Sequence, residues 1–108
     1  MMKINRGDIV NVFTKENESN KTQLALIISG NDENSILDTV ILLPLSNDLI
    51  DDMFPYRLRI NSRDNLDQDL DVLINQIRTI KKVKIKEKVS EVSSDEYNQI
   101  IENLYKNF

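Results

Sequence analysis

No cysteine, histidine or tryptophan occurs in these 108 residues, and glycine and proline are limited to two each. Without cysteine there is neither a disulfide framework nor a thiolate nucleophile. With histidine also missing, structural zinc sites and imidazole general bases are excluded. Gly7 and Gly30 are too few for a glycine-rich phosphate loop. No stretch approaches the roughly 20 apolar residues of a membrane span. The start, Met1-Met2-Lys3-Ile4-Asn5-Arg6, turns charged before any apolar run of signal-peptide length. These absences predict a cytoplasmic protein with no membrane partner.

What remains is a chain of ordinary domain size, expected to fold as one compact unit over residues 1–108. Lys and Arg number 14 against 18 Asp and Glu, for a net charge of -4. That balance argues against nonspecific coating of nucleic acid, which depends on clustered cations. The distribution is more informative than the sum. Acids collect at Asp48, Asp51 and Asp52 and at Asp64, Asp67, Asp69 and Asp71, whereas Arg78, Lys81, Lys82, Lys84, Lys86 and Lys88 crowd one segment. Pairs such as Asp51-Asp52 or Asp69 with Asp71 are able to bind a divalent ion, but acidic loops are usually just solvated, so no metal and no other cofactor is expected.

Hydrophobic periodicity places strands first and a helix last. Asp8 to Thr14 reads as a strand buried on both sides, followed by a polar loop from Lys15 to Thr22. Leu24 to Ser29 is an apolar run of strand length closed by a turn at Gly30-Asn31-Asp32. Thr39 to Leu45 is another, and its Pro44 points to an edge or a bulge. Tyr56 to Ile60 alternates, with Tyr56, Leu58 and Ile60 inward and Arg57 and Arg59 outward, where they suit a phosphate. Val72-Leu73-Ile74 is a short central strand. From Lys82 on, Val83 and Ile85 share one side and Lys82, Lys84, Lys86 and Lys88 the other, either as an edge strand guarded by lysines or as a phosphate-facing strip. Ser93-Ser94-Asp95-Glu96 fits a capping box that opens a helix with Tyr97, Ile100, Ile101, Leu104 and Phe108 as its apolar stripe. Five or six short strands with one C-terminal helix imply the α+β class, mainly β, as a curled antiparallel sheet or small barrel.

Four ordered segments carry a family resemblance. Arg6-Gly7-Asp8-Ile9-Val10, Ala25-Leu26-Ile27-Ile28-Ser29, Thr39-Val40-Ile41-Leu42-Leu43-Pro44-Leu45-Ser46 and Asn75-Gln76-Ile77-Arg78-Thr79-Ile80 resemble, in turn, the opening strand, the next two strands and the [D/E]-Q-x-R-T hallmark of the MazF/PemK family of bacterial toxins. The resemblance covers nearly all of residues 4–108. It implies an SH3-like barrel with a C-terminal helix, usually a homodimer. It also implies a metal-independent endoribonuclease that cuts single-stranded RNA, is neutralised by a cognate antitoxin, and engages operator DNA only together with that antitoxin.

Carried over position by position, the resemblance assigns Ser46 as the family's hydroxyl partner. The family's catalytic Arg-Pro is Gln23-Leu24 here, and its acid before Q-x-R-T is Asn75. Glu18 matches the Glu of the loop after the first strand. Gln23 has no charge to offset a developing dianion, and loss of one preorganised donor costs on the order of 10²–10³ in rate. Lys21 is the nearest replacement cation, since strand alternation would put it on the same face as Gln23. The candidate catalytic set is therefore Ser46, Lys21 and Gln23, with Glu18, Asn75, Gln76 and Arg78 as RNA contacts. Arg78 has a structural alternative, as an anchor to backbone carbonyls or an acid near the sheet, Asn75 one as a strand terminator, and Lys21 one as an ordinary solvated loop lysine. The departures at Gln23 and Asn75 also leave open a catalytically degenerate binding module that works through an antitoxin, DNA or another protein.

Overall fold

The computed structural model describes residues 3–14 and 21–108, and among these lie seven strands and two α-helices. In chain order they are β1 (Asp8–Phe13), β2 (Thr22–Ile27), α1 (Asn31–Ile36), β3 (Thr39–Ser46), β4 (Arg57–Ile60), β5 (Leu70–Leu73), β6 (Arg78–Lys81), β7 (Ile85–Glu91) and α2 (Ser94–Lys106), with a 3-10 turn over Lys82–Lys84. The strands pair in the order β4-β5-β3-β2-β1-β7, with β6 also on β3, and every pairing is antiparallel. The fold is α+β, mainly β, as the residue pattern and the resemblance imply.

The sheet has two buried faces because β1, β2 and β3 alternate apolar side chains on both sides. Ile9, Leu26, Leu43, Leu45 and Val72 form one cluster with Ile100 of α2. Val10, Val12, Ala25, Ile27, Val40, Leu42 and Ile85 form the other. On the first face, Ile100 is fully buried and Tyr97, Ile101 and Leu104 pack around it. The expected Phe108 does not join the stripe: it lies beyond the helix and is 81% exposed. The capping box forms as the sequence predicts, with Ser93 Oγ accepting from the Glu96 N–H and the Glu96 carboxylate accepting from the Ser93 N–H.

The ends of the strand order are tied through Arg63, which follows β4. Its guanidinium donates to both carboxylate oxygens of Glu96, at 2.6 and 2.7 Å, and to the carbonyl of Glu91 at the end of β7. Gly7 closes the start of β1 at φ +91°, a conformation disfavoured for other L-residues. From there its N–H donates to Ile27 and its carbonyl accepts from Val92, so β1 is pinned to both neighbouring segments.

Several local expectations are corrected. Gly30-Asn31-Asp32 is the start of α1 and not a tight turn, because Gly30 is the N-cap and Asn34, buried inside the short helix, binds the Ser29 and Ile4 carbonyls. Pro44 is buried in the central strand β3, away from any sheet edge. Registered partners on its β5/β6 side stop at Leu42 and resume at Leu45, so a residue without an N–H is tolerated in that gap. The short strand of 72–74 is shifted to Leu70–Leu73. Tyr56 precedes β4 and is 53% exposed, not inward. The lysine alternation from Lys82 is broken by the 3-10 turn, which leaves Val83 83% exposed.

Arg57 and Arg59 are also not free for phosphate. Both reach Asp71, whose side chain is buried, at 3.2 and 2.9 Å, and Arg59 also holds Asp51. Burial pushes the Asp71 carboxyl up, but hydrogen bonds from Arg59, the Ile50 N–H and Arg57 outweigh it and hold the group below the usual carboxylate range. The same bonds anchor the β3–β4 loop, since Arg57 also donates to the Asp48 carbonyl.

Candidate functional site

The two faces differ in how they end. The first is covered by α2, whereas the second runs from its apolar cluster into an open cleft of about 650 Å³. Register explains which side chains reach it. Val12 pairs with Gln23, Ala25 with Pro44, and Leu42 with Arg78. Continuing the β2–β3 register sets Gln23 across from Ser46. Gln23, Ser46 and Arg78 therefore share the face of Val12, Ala25 and Leu42, and all six line the cleft.

Of the residues singled out in the sequence, the fold brings Gln23, Ser46, Gln76 and Arg78 into this cleft. Lys21 and Asn75 are not among its lining residues, and Glu18 lies outside the described residues. Lys21 stands just before β2, with its carbonyl accepting from the Thr14 N–H. Asn75 occupies the turn between β5 and β6, a position suited to Asn, and the Gln76 N–H donates to the Leu73 carbonyl to close that turn.

Each cleft side chain has a distinct state. The Gln23 amide nitrogen donates to the carbonyls of Leu45 and Leu24, so both of its hydrogens are committed to the backbone. Ser46 ends β3, where its hydroxyl oxygen accepts from the Asp48 N–H at 3.0 Å. Arg78 is exposed and, among the described residues, has no carboxylate or carbonyl partner. Lys84, which the sequence reading treated only as part of a strip, also lines the cleft.

Among the described lining residues the charge of the site is one-sided, with the Glu87 carboxylate nearby, accepting from the Asn11 amide at 3.2 Å. Arg78 and Lys84 line it, and no Asp or Glu does among the described residues, although the chain carries a net charge of -4. Its remaining polar lining is mostly amides and hydroxyls, including Asn11, Gln68 and Gln76. A cationic, amide-lined groove with an apolar floor suits a ligand that combines phosphate charge with flat, hydrogen-bonding bases. Among the described residues no group of three or more carboxylates is placed to hold a metal ion, and no helix is long and apolar enough to cross a membrane.

The same architecture occurs in known proteins. A crystal structure of MazE-MazF from Deinococcus radiodurans matches with a TM-score of 0.82 at 14% identity, over 99% of this chain and 96% of that one. An endoribonuclease in complex with its cognate antitoxin from a mycobacterial species gives 0.74 at 20% identity, over 98% and 93%. The Mycobacterium tuberculosis toxin MazF-mt6 gives 0.76 at 13%, over 92% and 93%. At such identities the likeness concerns the fold. No curated protein matched the sequence. A family model described as the PemK-like, MazF-like toxin of type II toxin-antitoxin systems matches residues 5–108. Because that match takes in every strand and the capped helix, the chain belongs to the PemK-like, MazF-like toxin family.

Proposed function

We propose that this toxin-family protein is a metal-independent endoribonuclease that cuts single-stranded RNA in the cleft on the second face of the sheet. The observation that carries this reading is the cleft's charge: two cations and no carboxylate among its described lining residues, in an acidic protein. RNA cleavage without a metal uses the neighbouring 2′-hydroxyl. A bond forms from the 2′ oxygen to phosphorus, the bond to the 5′ oxygen breaks, the 2′ proton is removed and the leaving oxygen is protonated. Arg78 offers a planar fork for the phosphate. The Ser46 hydroxyl stands one residue from Leu45, whose carbonyl Gln23 holds, and would exchange its long bond to the Asp48 carbonyl, 3.4 Å, for one to a phosphoryl oxygen. Gln76 offers an amide able to pair with base edges, and Asn11 a second whose nitrogen also donates to Glu87. Lys21, as the replacement cation, and Asn75, as an RNA contact, stand outside the cleft's lining residues, and Glu18 is carried as an RNA contact from the resemblance alone.

With Gln23 in place of an arginine, turnover is expected to be slow, on the order of 10²–10³ below that of a site with the extra donor. Neutralisation by a cognate antitoxin, operator DNA binding only with that antitoxin, homodimer formation and a cytoplasmic setting complete the proposal. The antitoxin partner is supported by the mycobacterial and Deinococcus structures, whose names record an antitoxin or MazE, and the rest is carried from the family resemblance alone.

The test is incubation with long mixed-sequence RNA in EDTA, with Ser46→Ala alongside. Discrete cuts that leave 5′-hydroxyl ends and weaken in the variant support the proposal. Intact RNA at every enzyme concentration rejects it in favour of a second reading, a binding module. The commitment of both Gln23 amide hydrogens to the backbone is the observation that favours that alternative.

A further inference from the structure

We propose that Lys84 is a phosphate-binding residue of the cleft, the second cation that works with Arg78 on the RNA backbone. The inference rests on the ribonuclease reading above. By simple alternation Lys82, Lys84, Lys86 and Lys88 would share one face of a strand. Instead Lys82–Lys84 form a 3-10 turn, closed by the Ile85 N–H on the Lys82 carbonyl. With three residues per turn, successive side chains leave in three directions about 120° apart.

The consequence is visible residue by residue. Lys82 turns to α1, where its ammonium donates to the Asn34 carbonyl at 2.6 Å. Val83 points to solvent. Lys84 enters the cleft, half-buried. Ile85 then starts β7 opposite Val12, in the apolar cluster that floors the cleft. Farther along, Lys88 is engaged by Asp8 and Glu91, each at 3.2 Å. Among the described residues Lys84 has no acceptor, so this half-buried residue brings a second cation without a hydrogen-bonded counter-charge into the cleft that holds Arg78. An anionic ligand would supply that charge. The surrounding amides favour RNA over an acidic peptide as its source, because they match base edges.

The test measures binding of a fully 2′-O-methylated mixed-sequence oligonucleotide, which resists cleavage, at several salt concentrations. Wild type, Lys84→Ala, Lys84→Arg and Lys86→Ala are compared, with melting temperatures to verify folding. Lys86 is exposed and does not line the cleft. Removing one phosphate contact from single-stranded nucleic acid should lower the slope of log affinity against log salt by about 0.7. Lys84→Ala is expected to show that drop and to bind roughly tenfold more weakly across sequences, while Lys84→Arg retains affinity and Lys86→Ala stays near wild type. Equal effects of Lys84→Ala and Lys86→Ala, or an unchanged salt slope, would overturn the role of Lys84 while leaving the ribonuclease reading intact. With an acidic peptide titrated alongside, a Lys84→Ala loss confined to the peptide would assign Lys84 to a protein partner and overturn the inference as well. No binding of RNA by wild type would overturn both.

Discussion

Gln23 and Leu45 are joined across β2 and β3 by a hydrogen bond from the side-chain amide to the backbone carbonyl. The residue at which the family resemblance implies an arginine is thereby a strap on the strand that ends in Ser46. Replacing it tests what that strap does. Gln23→Arg is expected to raise RNA cleavage by about 10²-fold, the value of one preorganised charged donor, at a stability cost of about 1 kcal/mol for the lost hydrogen bond. Cut-site mapping and urea denaturation read the two effects. An unchanged rate with retained folding would mean that charge at this position does not limit the chemistry.

Asp71 is the buried end of a second strap. It accepts from Arg57, Arg59 and the Ile50 N–H, and Arg57 passes the connection to the Asp48 carbonyl beside Ser46. Asp71→Asn should lower stability by about 1–3 kcal/mol, less than a fully buried pair because the arginines are partly exposed. It should also loosen the loop from Asn47 to Met53. Denaturation and amide exchange at Ile50 and Asp48 check this, and unaltered exchange there would separate the network from the loop.

Glu96 connects helix capping to acid stability. Hydrogen bonds from Arg63, opposed by burial and aided by the Ser93 N–H, hold its carboxyl at about 2. Because the folded value lies below the unfolded one, the contribution is fully present above the ordinary carboxylate range. It is lost as the pH falls through the folded value. Glu96→Gln should therefore be less stable by about 1–2 kcal/mol near pH 7, and the gap should close between about pH 4.5 and pH 2. A pH-independent gap in melting temperature would assign the effect to packing.

Gly7 carries a conformational requirement. Its φ of +91° admits a Cβ only with strain, although the nearest side-chain atom, on Val92, is 3.6 Å from where that carbon would be. Gly7→Ala is expected to cost about 1–2 kcal/mol from the backbone alone, measured by urea denaturation. A neutral result would show that the turn relaxes at no cost.

How much of this was legible follows a physical rule. Elements with strong local signals were readable: β1 from its two-sided apolar pattern, and α2 from Ser93, Glu96 and the stripe through Ile100. Features set by pairing between distant segments were not. Asp71 reads as one more solvated acid until β4 and β5 place it beside Arg57 and Arg59. The lysine strip reads as one strand until the short turn at Lys82–Lys84 sends its members apart. Pro44 reads as an edge or bulge residue, and the change of partner from β6 to β5 along β3 that accommodates it is invisible in its own segment. In the candidate site, the strings around Gln23, Ser46 and Gln76-Ile77-Arg78 were found through resemblance. Lys84 was obscured by the very alternation that made its neighbours conspicuous.

The central claim is that the cationic face of the sheet is where RNA lies. Titrating isotopically labelled protein with the 2′-O-methylated oligonucleotide and following amide shifts tests it most directly. The account predicts saturable changes concentrated at Asn11, Gln23, Ser46, Gln76, Arg78 and Lys84, with the acidic segment 64–71 largely unmoved apart from Gln68 and Leu70 at the cleft. Changes centred on the α2 side, or none at millimolar oligonucleotide, would contradict it.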